Sequence, residues 1–188
     1  MFSSAFPVDL KENLNRVIKI IPQSTFSNVP FVTCGRTFEY VIGNDVVAIP
    51  YRIYLLDISD EEYETLNQIQ KQILCCIYTR SCDGKIREKY LRKLLDMQFE
   101  HWSAPYIIKL CDEYVIELLE IIYDKIKERD NRDFQEFCIK NKSSVNKSYS
   151  RMISYWNVYY RRYEHNFEKY IGRKIFTECF GYDKTFKK

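Results

Sequence analysis

The sequence predicts a mostly α-helical fold: five to six helices around a central buried helix, with an N-terminal β-hairpin. Three observations carry this expectation. Residues 105–128 (PYIIKLCDEYVIELLEIIYDKIKE) place Lys109, Asp112, Glu113, Glu117, Glu120 and Asp124 on one side of a helical projection. Ile107, Leu110, Tyr114, Leu118, Ile122 and Ile126 are among the apolar residues that cover most of the rest. A helix apolar over more than half its circumference needs several covering neighbours, and at 1.5 Å rise per residue this one would be about 36 Å long. Second, residues 36–56 switch to a β-type composition around Gly43-Asn44, a two-residue hairpin signal. Third, amphipathic segments recur on both sides of the central stretch at lengths typical of globular helices.

In chain order, residues 8–21 read as a short helix with Asp9 as cap, Leu10, Leu14, Val17, Ile18 and Ile21 as its buried stripe, and Pro22 as terminator. Residues 23–35 are a connector with Pro30 and Gly35. In the hairpin, Pro50 cannot donate to a ladder, so its strand is an edge or breaks there. Residues 59–80 read as one helix, opened by a Ser59/Glu62 capping box. The turn Ser81-Cys82-Asp83-Gly84 leads to a helix at 85–97, and the shortness of that turn makes the two helices antiparallel neighbours. Residues 131–141 read as a short helix and 142–147 (KSSVNK) as an exposed loop. A long helix is expected at 148–171, with Tyr149, Met152, Trp156, Tyr160, Tyr163 and Phe167 in one stripe and Gly172 as its stop. The tail (IFTECFGYDKTFKK) carries a last apolar cluster and a frayed basic end.

The length of 188 residues fits one domain over 1–188, with 1–58 supplying the first helix and hairpin and 59–188 the helical core. Tyrosine is the unusual component: sixteen, so many must be part-buried with the hydroxyl at a partner or at water. The net charge of +3 is unevenly spread, since residues 131–188 carry thirteen basic and six acidic side chains. This basic third either attracts the acidic 59–130 stretch within one fold or meets an anionic partner. Seven cysteines and a start (MFSSAFPVDLK) without a basic n-region and apolar h-region suggest a reducing cytoplasm and free thiols. No apolar run approaches the ~18 residues of a membrane span.

The segments YTRSCDGKIREKYLRKLL, HWSAPYIIKLCDEYVIELL and ISYWNVYYRR carry a resemblance, over the stretch from about Tyr78 to Tyr160, to an uncharacterised family of bacterial proteins. The resemblance covers under half of the chain. It implies a bacterial origin and a single domain, and it implies no activity or ligand.

The chemical motifs are sparse. Cys75, Cys76 and Cys82 lack zinc-ligand spacing, and only His101 and His165 are present. Glu113, Glu117, Glu120 and Asp124 share a helix face, but the Glu-x-x-His pairs of a di-metal bundle are missing, so a solvated or ion-paired face is the reading and no cofactor is expected. Phosphate-loop, dinucleotide, nucleophile-elbow and metalloprotease signatures are absent. Cys82, in a turn before a helix, is an activated-thiol candidate with His101 as base, set against a plain surface cysteine. Opposite the aromatic stripe of 148–171, Arg151, Tyr155, Val158, Arg162, His165 and Lys169, followed by Arg173, recur along one face. Such a line can contact phosphates along a nucleic acid, or it docks on the acidic strip of the central helix. Arg80, Asp83 and Arg87 bracket one helix–helix corner from which Glu113 and Glu117 are in reach, as a structural network or as a ligand-binding corner.

These observations select a non-enzymatic cytoplasmic interaction module that binds a protein partner through charged helical faces. Nucleic-acid binding through 148–174 is the alternative. An enzyme site built from Arg80, Asp83, Arg87, Glu113 and Glu117 is a third reading.

Overall fold

The computed structural model describes residues 2–22, 32–33 and 35–182. Most of the expected connector at 23–35 and the basic end at 183–188 lie outside the described residues. The chain forms two compact units, Met1–Tyr106 and Ile107–Lys188.

In the first unit, 3₁₀ turns at Phe2–Ser4 and Val8–Leu10 lead into α1 (Lys11–Ile20). Asp9 does not cap this helix. Leu10 takes the N-cap position without a side-chain bond, because the 3₁₀ turn runs straight on, the Lys11 N–H reaching Val8 O. Leu14 and Val17 are buried as expected, while Ile18 is half-buried. The start of the chain is pinned by Tyr106, whose ring stacks on Phe6 at 5.2 Å and whose hydroxyl donates to Ala5 O at 2.8 Å.

Four strands follow among the described residues: β1 (Val32–Thr33), β2 (Thr37–Ile42), β3 (Asp45–Pro50) and β4 (Ile53–Tyr54). β2 and β3 form the expected antiparallel hairpin, with Ile42 opposite Asp45. Gly43 (φ +59°) takes the first central position of the turn, where only glycine is free of a Cβ penalty and the backbone twist matches the strands. Pro50 faces Thr37 at the end of the ladder, where its missing donor is tolerated. Alternation turns Tyr40, Ile42, Val47 and Ile49 inward and Val41 and Val46 outward. β1 pairs with β4 in a second two-stranded sheet.

The expected single helix at 59–80 is two helices. α2 (Asp60–Glu64) opens with the Ser59/Glu62 capping box, and α3 (Gln68–Tyr78) opens with a second box, Asn67/Gln70. An Asn side chain that bonds the third amide competes with helix continuation, and its own backbone moves to an extended conformation. α4 (Gly84–Asp96) starts from Asp83, whose Oδ1 accepts the amides of Lys85 (2.8 Å) and Ile86 (3.3 Å). α3 and α4 form a helical hairpin, with Tyr78 stacked on Tyr90 at 4.3 Å. The Tyr90 hydroxyl donates to Asp57 (2.6 Å), which also takes Lys89 Nζ (2.9 Å), and the Tyr78 hydroxyl donates to Leu56 O (2.6 Å).

The continuous central helix at 105–128 is not present. α5 (Ala104–Leu110) closes with i→i−3 bonds, Cys111 N–H to Ile108 O (3.0 Å) and Glu113 N–H to Leu110 O (3.2 Å). A fresh helix, α6 (Ile116–Ile126), starts after an extended Val115 (φ −88°, ψ 101°). The projection put Lys109, Asp112 and Glu113 on a polar face, yet all three are buried. Lys109 Nζ pairs with both carboxylate oxygens of Asp112, which neutralises two charges that burial would otherwise penalise by several kcal/mol per ion.

The second unit continues with α7 (Arg132–Lys140) and α8 (Lys142–Tyr155). The expected loop at 142–147 is therefore the first turns of a helix. Nothing in KSSVNK breaks a helix, and Val145 is fully buried, so packing outweighs the weak propensity of Ser and Asn. A short helix α9 (Ile171–Lys174) runs into a π-turn at Ile175–Cys179. The apolar face of α6 (Leu118, Leu119, Ile122, Ile126) and Phe137, Cys138, Met152, Ile175 and Phe176 make up the buried interior of this unit.

Gly172 lies inside α9 and ends no helix. A Cβ there would meet Tyr170 Cε1 at 2.7 Å and Met152 Cγ at 2.9 Å. Gly172→Ala should cost roughly 1–3 kcal/mol by overpacking, read as a lower urea midpoint at unchanged slope. Burial pushes the Cys75, Cys138 and Cys179 thiols up to about 12 from an ordinary 9.0. The unfolded chain ionises first as pH rises, so the stability these thiols contribute is complete below about pH 9.0 and is lost toward pH 12. Iodoacetamide at pH 8.5 should leave the three unmodified in the folded protein and label them in urea, as read by peptide mass.

Candidate functional site

The residues singled out in the sequence fall at two places. Arg80, Asp83 and Arg87 belong to the first unit, and Glu113 and Glu117 to the second. Arg80 is fully buried at the end of the α3 turn, and its carbonyl accepts the Ile53 N–H at 2.8 Å. The Asp83 carboxylate is committed to the first amides of α4. Arg87 is buried and donates from Nη1 to Ser81 O (2.9 Å) and Cys82 O (3.2 Å), so it ties down the turn that precedes its own helix. Cys82 sits half-buried in that turn with its N–H on Ile53 O (2.9 Å). Glu113 is buried in the break between α5 and α6, and Glu117 is exposed in the first turn of α6. Within the first unit, Asp83 and Arg87 have assigned architectural work: one caps a helix and the other closes a turn.

The second place is residues 148–174, where one long helix was expected. α8 ends at Tyr155, a π-turn spans Trp156–Tyr160, a 3₁₀ turn spans Phe167–Lys169, and α9 follows. The π-turn is marked by the Arg161 N–H on Trp156 O at 2.8 Å, an i→i−5 bond. One extra residue per turn shifts everything after it by about 100° around the axis, so a face drawn at 100° per residue is lost there. Trp156 Nε1 fixes the bend by donating to Glu164 O (3.0 Å), and its ring packs on Phe167 at 4.7 Å. The basic face is thus divided: Arg151 and Tyr155 on α8, Arg162 and His165 in the bend, Lys169 on the 3₁₀ turn and Arg173 on α9. Arg162, His165 and Lys169 are exposed, and among the described residues none of them makes an ion pair. Docking on the acidic strip of α6 therefore does not account for these three.

The bend builds something the periodicity did not reveal. Tyr114, in the break before α6, lies 5.3 Å from Tyr159 and 5.7 Å from Tyr155. Tyr155 and Tyr159 are 6.0 Å apart, and Tyr159 and Tyr160 are 6.4 Å apart. Four tyrosine rings thus form one contiguous cluster, backed by the buried Tyr170, whose ring stacks on Tyr160 at 5.6 Å. Tyr114 is 54% exposed and Tyr159 49%, with Val158 at 69% and Tyr163 at 86% beside them in the chain. At 150–250 Å² per buried tyrosine, such a cluster presents on the order of 300 Å² of ring surface to solvent. Arg161 and Arg162 follow immediately, with Arg161 over the Trp156 ring at 5.7 Å and bonded to Asn157 Oδ1 at 3.3 Å. The run WNVYYRRY was legible as aromatic and basic. That Tyr159 would meet Tyr114, a residue expected inside a buried helix, was not.

Among the described residues no group of three His, Cys, Asp or Glu side chains is placed to hold a metal ion, and no helix is long and apolar enough to cross a membrane. No family model matches the chain, and neither a curated protein nor a solved structure is found to be similar to it.

Arg87→Met should destabilise the first unit by roughly 1.5–3 kcal/mol, since it strips a charged donor from two carbonyls. The urea midpoint reads this loss. Any binding property of residues 114–163 should survive it once the protein is folded.

Proposed function

We propose that this chain is a non-enzymatic interaction module that binds a protein partner through the tyrosine–arginine surface of its second unit. The observation that carries this reading is the ring cluster of Tyr114, Tyr155 and Tyr159, in which Tyr114 and Tyr159 are exposed and Tyr155 is half-buried. Tyrosine and arginine supply rigid, amphipathic contact area at low entropic cost and are enriched at binding hot spots. Residues 142–174 hold eight basic side chains against two acidic ones, so the matching partner segment is acidic and carries an apolar anchor for the ring cluster. This refines the reading from charged helical faces, because the face itself is broken at the π-turn.

Nucleic acid is the second reading, favoured by exposed Arg162 and Tyr163 standing side by side. A protein partner is preferred on two grounds. The cations sit on four separate elements, where a phosphate backbone would need a line of them. The rings also cover one another in part, Tyr114 meeting Tyr155 at 65°, so fewer flat faces are free for base stacking.

A peptide-display selection against the folded protein tests this. It should converge on acidic sequences around an apolar residue, and the affinity of a selected peptide should fall at least tenfold in Tyr159→Ala, the scale of a hot-spot side chain. Absence of convergence would sink the proposal, especially if labelled single-stranded oligonucleotides bound in a salt-sensitive way that Arg162→Ala abolished.

A further inference from the structure

We propose that Tyr160 is the positioning residue of this surface: its hydroxyl ties down the break before α6, so that ordering of the break and docking on the tyrosine cluster are a single equilibrium. The docking half rests on the function proposed above. The tie itself concerns the free protein alone.

α6 begins with a deficiency. The first amides of a helix have no partner within it and need an acceptor from elsewhere. α2, α3 and α4 meet that need locally, through Ser59, Asn67 and Asp83. The N-cap of α6 is Val115, which has no side-chain acceptor and makes no side-chain cap bond. What holds the break comes from 46 residues along the chain instead. The Tyr160 hydroxyl donates to Tyr114 O, the carbonyl of the residue just before that N-cap. Tyr160 is held for this task by the π-turn that places it and by the buried Tyr170 ring stacked behind it.

Tyr114 is consequently tied to the 155–160 segment twice: by its carbonyl to the Tyr160 hydroxyl, and by its ring to Tyr155 and Tyr159. A ligand that touches the Tyr114 and Tyr159 rings together binds only the arrangement in which the break is closed. Such a ligand must favour the tied state by its differential affinity, and loss of the tie must lower its apparent affinity by the lost population.

The test is hydrogen exchange on Tyr160→Phe, which keeps the ring and removes the hydroxyl. In the free protein, amides at 111–118 should exchange roughly five- to tenfold faster, the scale of one hydrogen bond, with α4 and α7 unchanged. Val115→Asn added to Tyr160→Phe gives α6 a cap of its own and should restore slow exchange; a general packing defect would not be rescued this way. A peptide selected on the wild-type surface should lose affinity in Tyr160→Phe and regain it in the double variant. Unchanged exchange at 111–118 would overturn the tie whatever the peptide does. Faster exchange with unchanged peptide affinity would overturn the coupling and leave the docking reading intact. Failure of every peptide to bind wild type would remove the docking reading and the coupling together, with the exchange result still deciding the tie.

Discussion

Helix ends are the constraint on which this structure depends. Apolar runs that would support long helices are repeatedly cut, and each cut leaves backbone amides that burial cannot leave unanswered. The chain answers with Ser59, Asn67 and Asp83 in the first unit. In the second unit a tyrosine hydroxyl from another element instead holds the carbonyl just before the α6 start. The position of the cuts, more than the apolar pattern between them, decides which side chains become buried. Lys109 and Asp112 illustrate this: they belong on the polar side of an unbroken helix, and the break takes them inside, where each is tolerated because the other is there.

The abundance of tyrosine has a related physical basis. A tyrosine fills a core position and still delivers a donor at its tip. The Tyr78, Tyr90 and Tyr106 hydroxyls reach Leu56 O, Asp57 and Ala5 O, segments without regular helix or strand backbone bonds of their own. They act as internal ties between packed helices and irregular chain. The cluster at Tyr114, Tyr155 and Tyr159 is built from the same residue type but stays half outside, and this separates it from the ties in the core. Its surroundings are rich in exposed cations without ion pairs, the combination on which the proposed binding role rests.

Much of the local structure was legible in the sequence. The hairpin about Gly43-Asn44, the Ser59/Glu62 cap, the turn at 81–84 and the helix it starts follow from rules that act over a few residues, and all are present. The Asn67/Gln70 box carried the same signature and was hidden by the stronger apolar periodicity around it. The bend at 156–163 carried no signature: WNVYYRRY has neither glycine nor proline, and a π-turn inserts its extra residue without any mark in the pattern of apolar positions.

What the sequence determined by itself, then, is the mostly helical composition, the hairpin, the self-capped helix starts and the concentration of arginine and tyrosine near residues 151–163. These depend on interactions between residues close along the chain. What only the tertiary structure decided is where the two longest apolar runs break, which charges go inside, and that Tyr114 meets Tyr155 and Tyr159. Those outcomes depend on groups more than forty residues apart, such as the Tyr160 hydroxyl and the Tyr114 carbonyl, and a period counted along one segment contains no information about a partner that lies outside it.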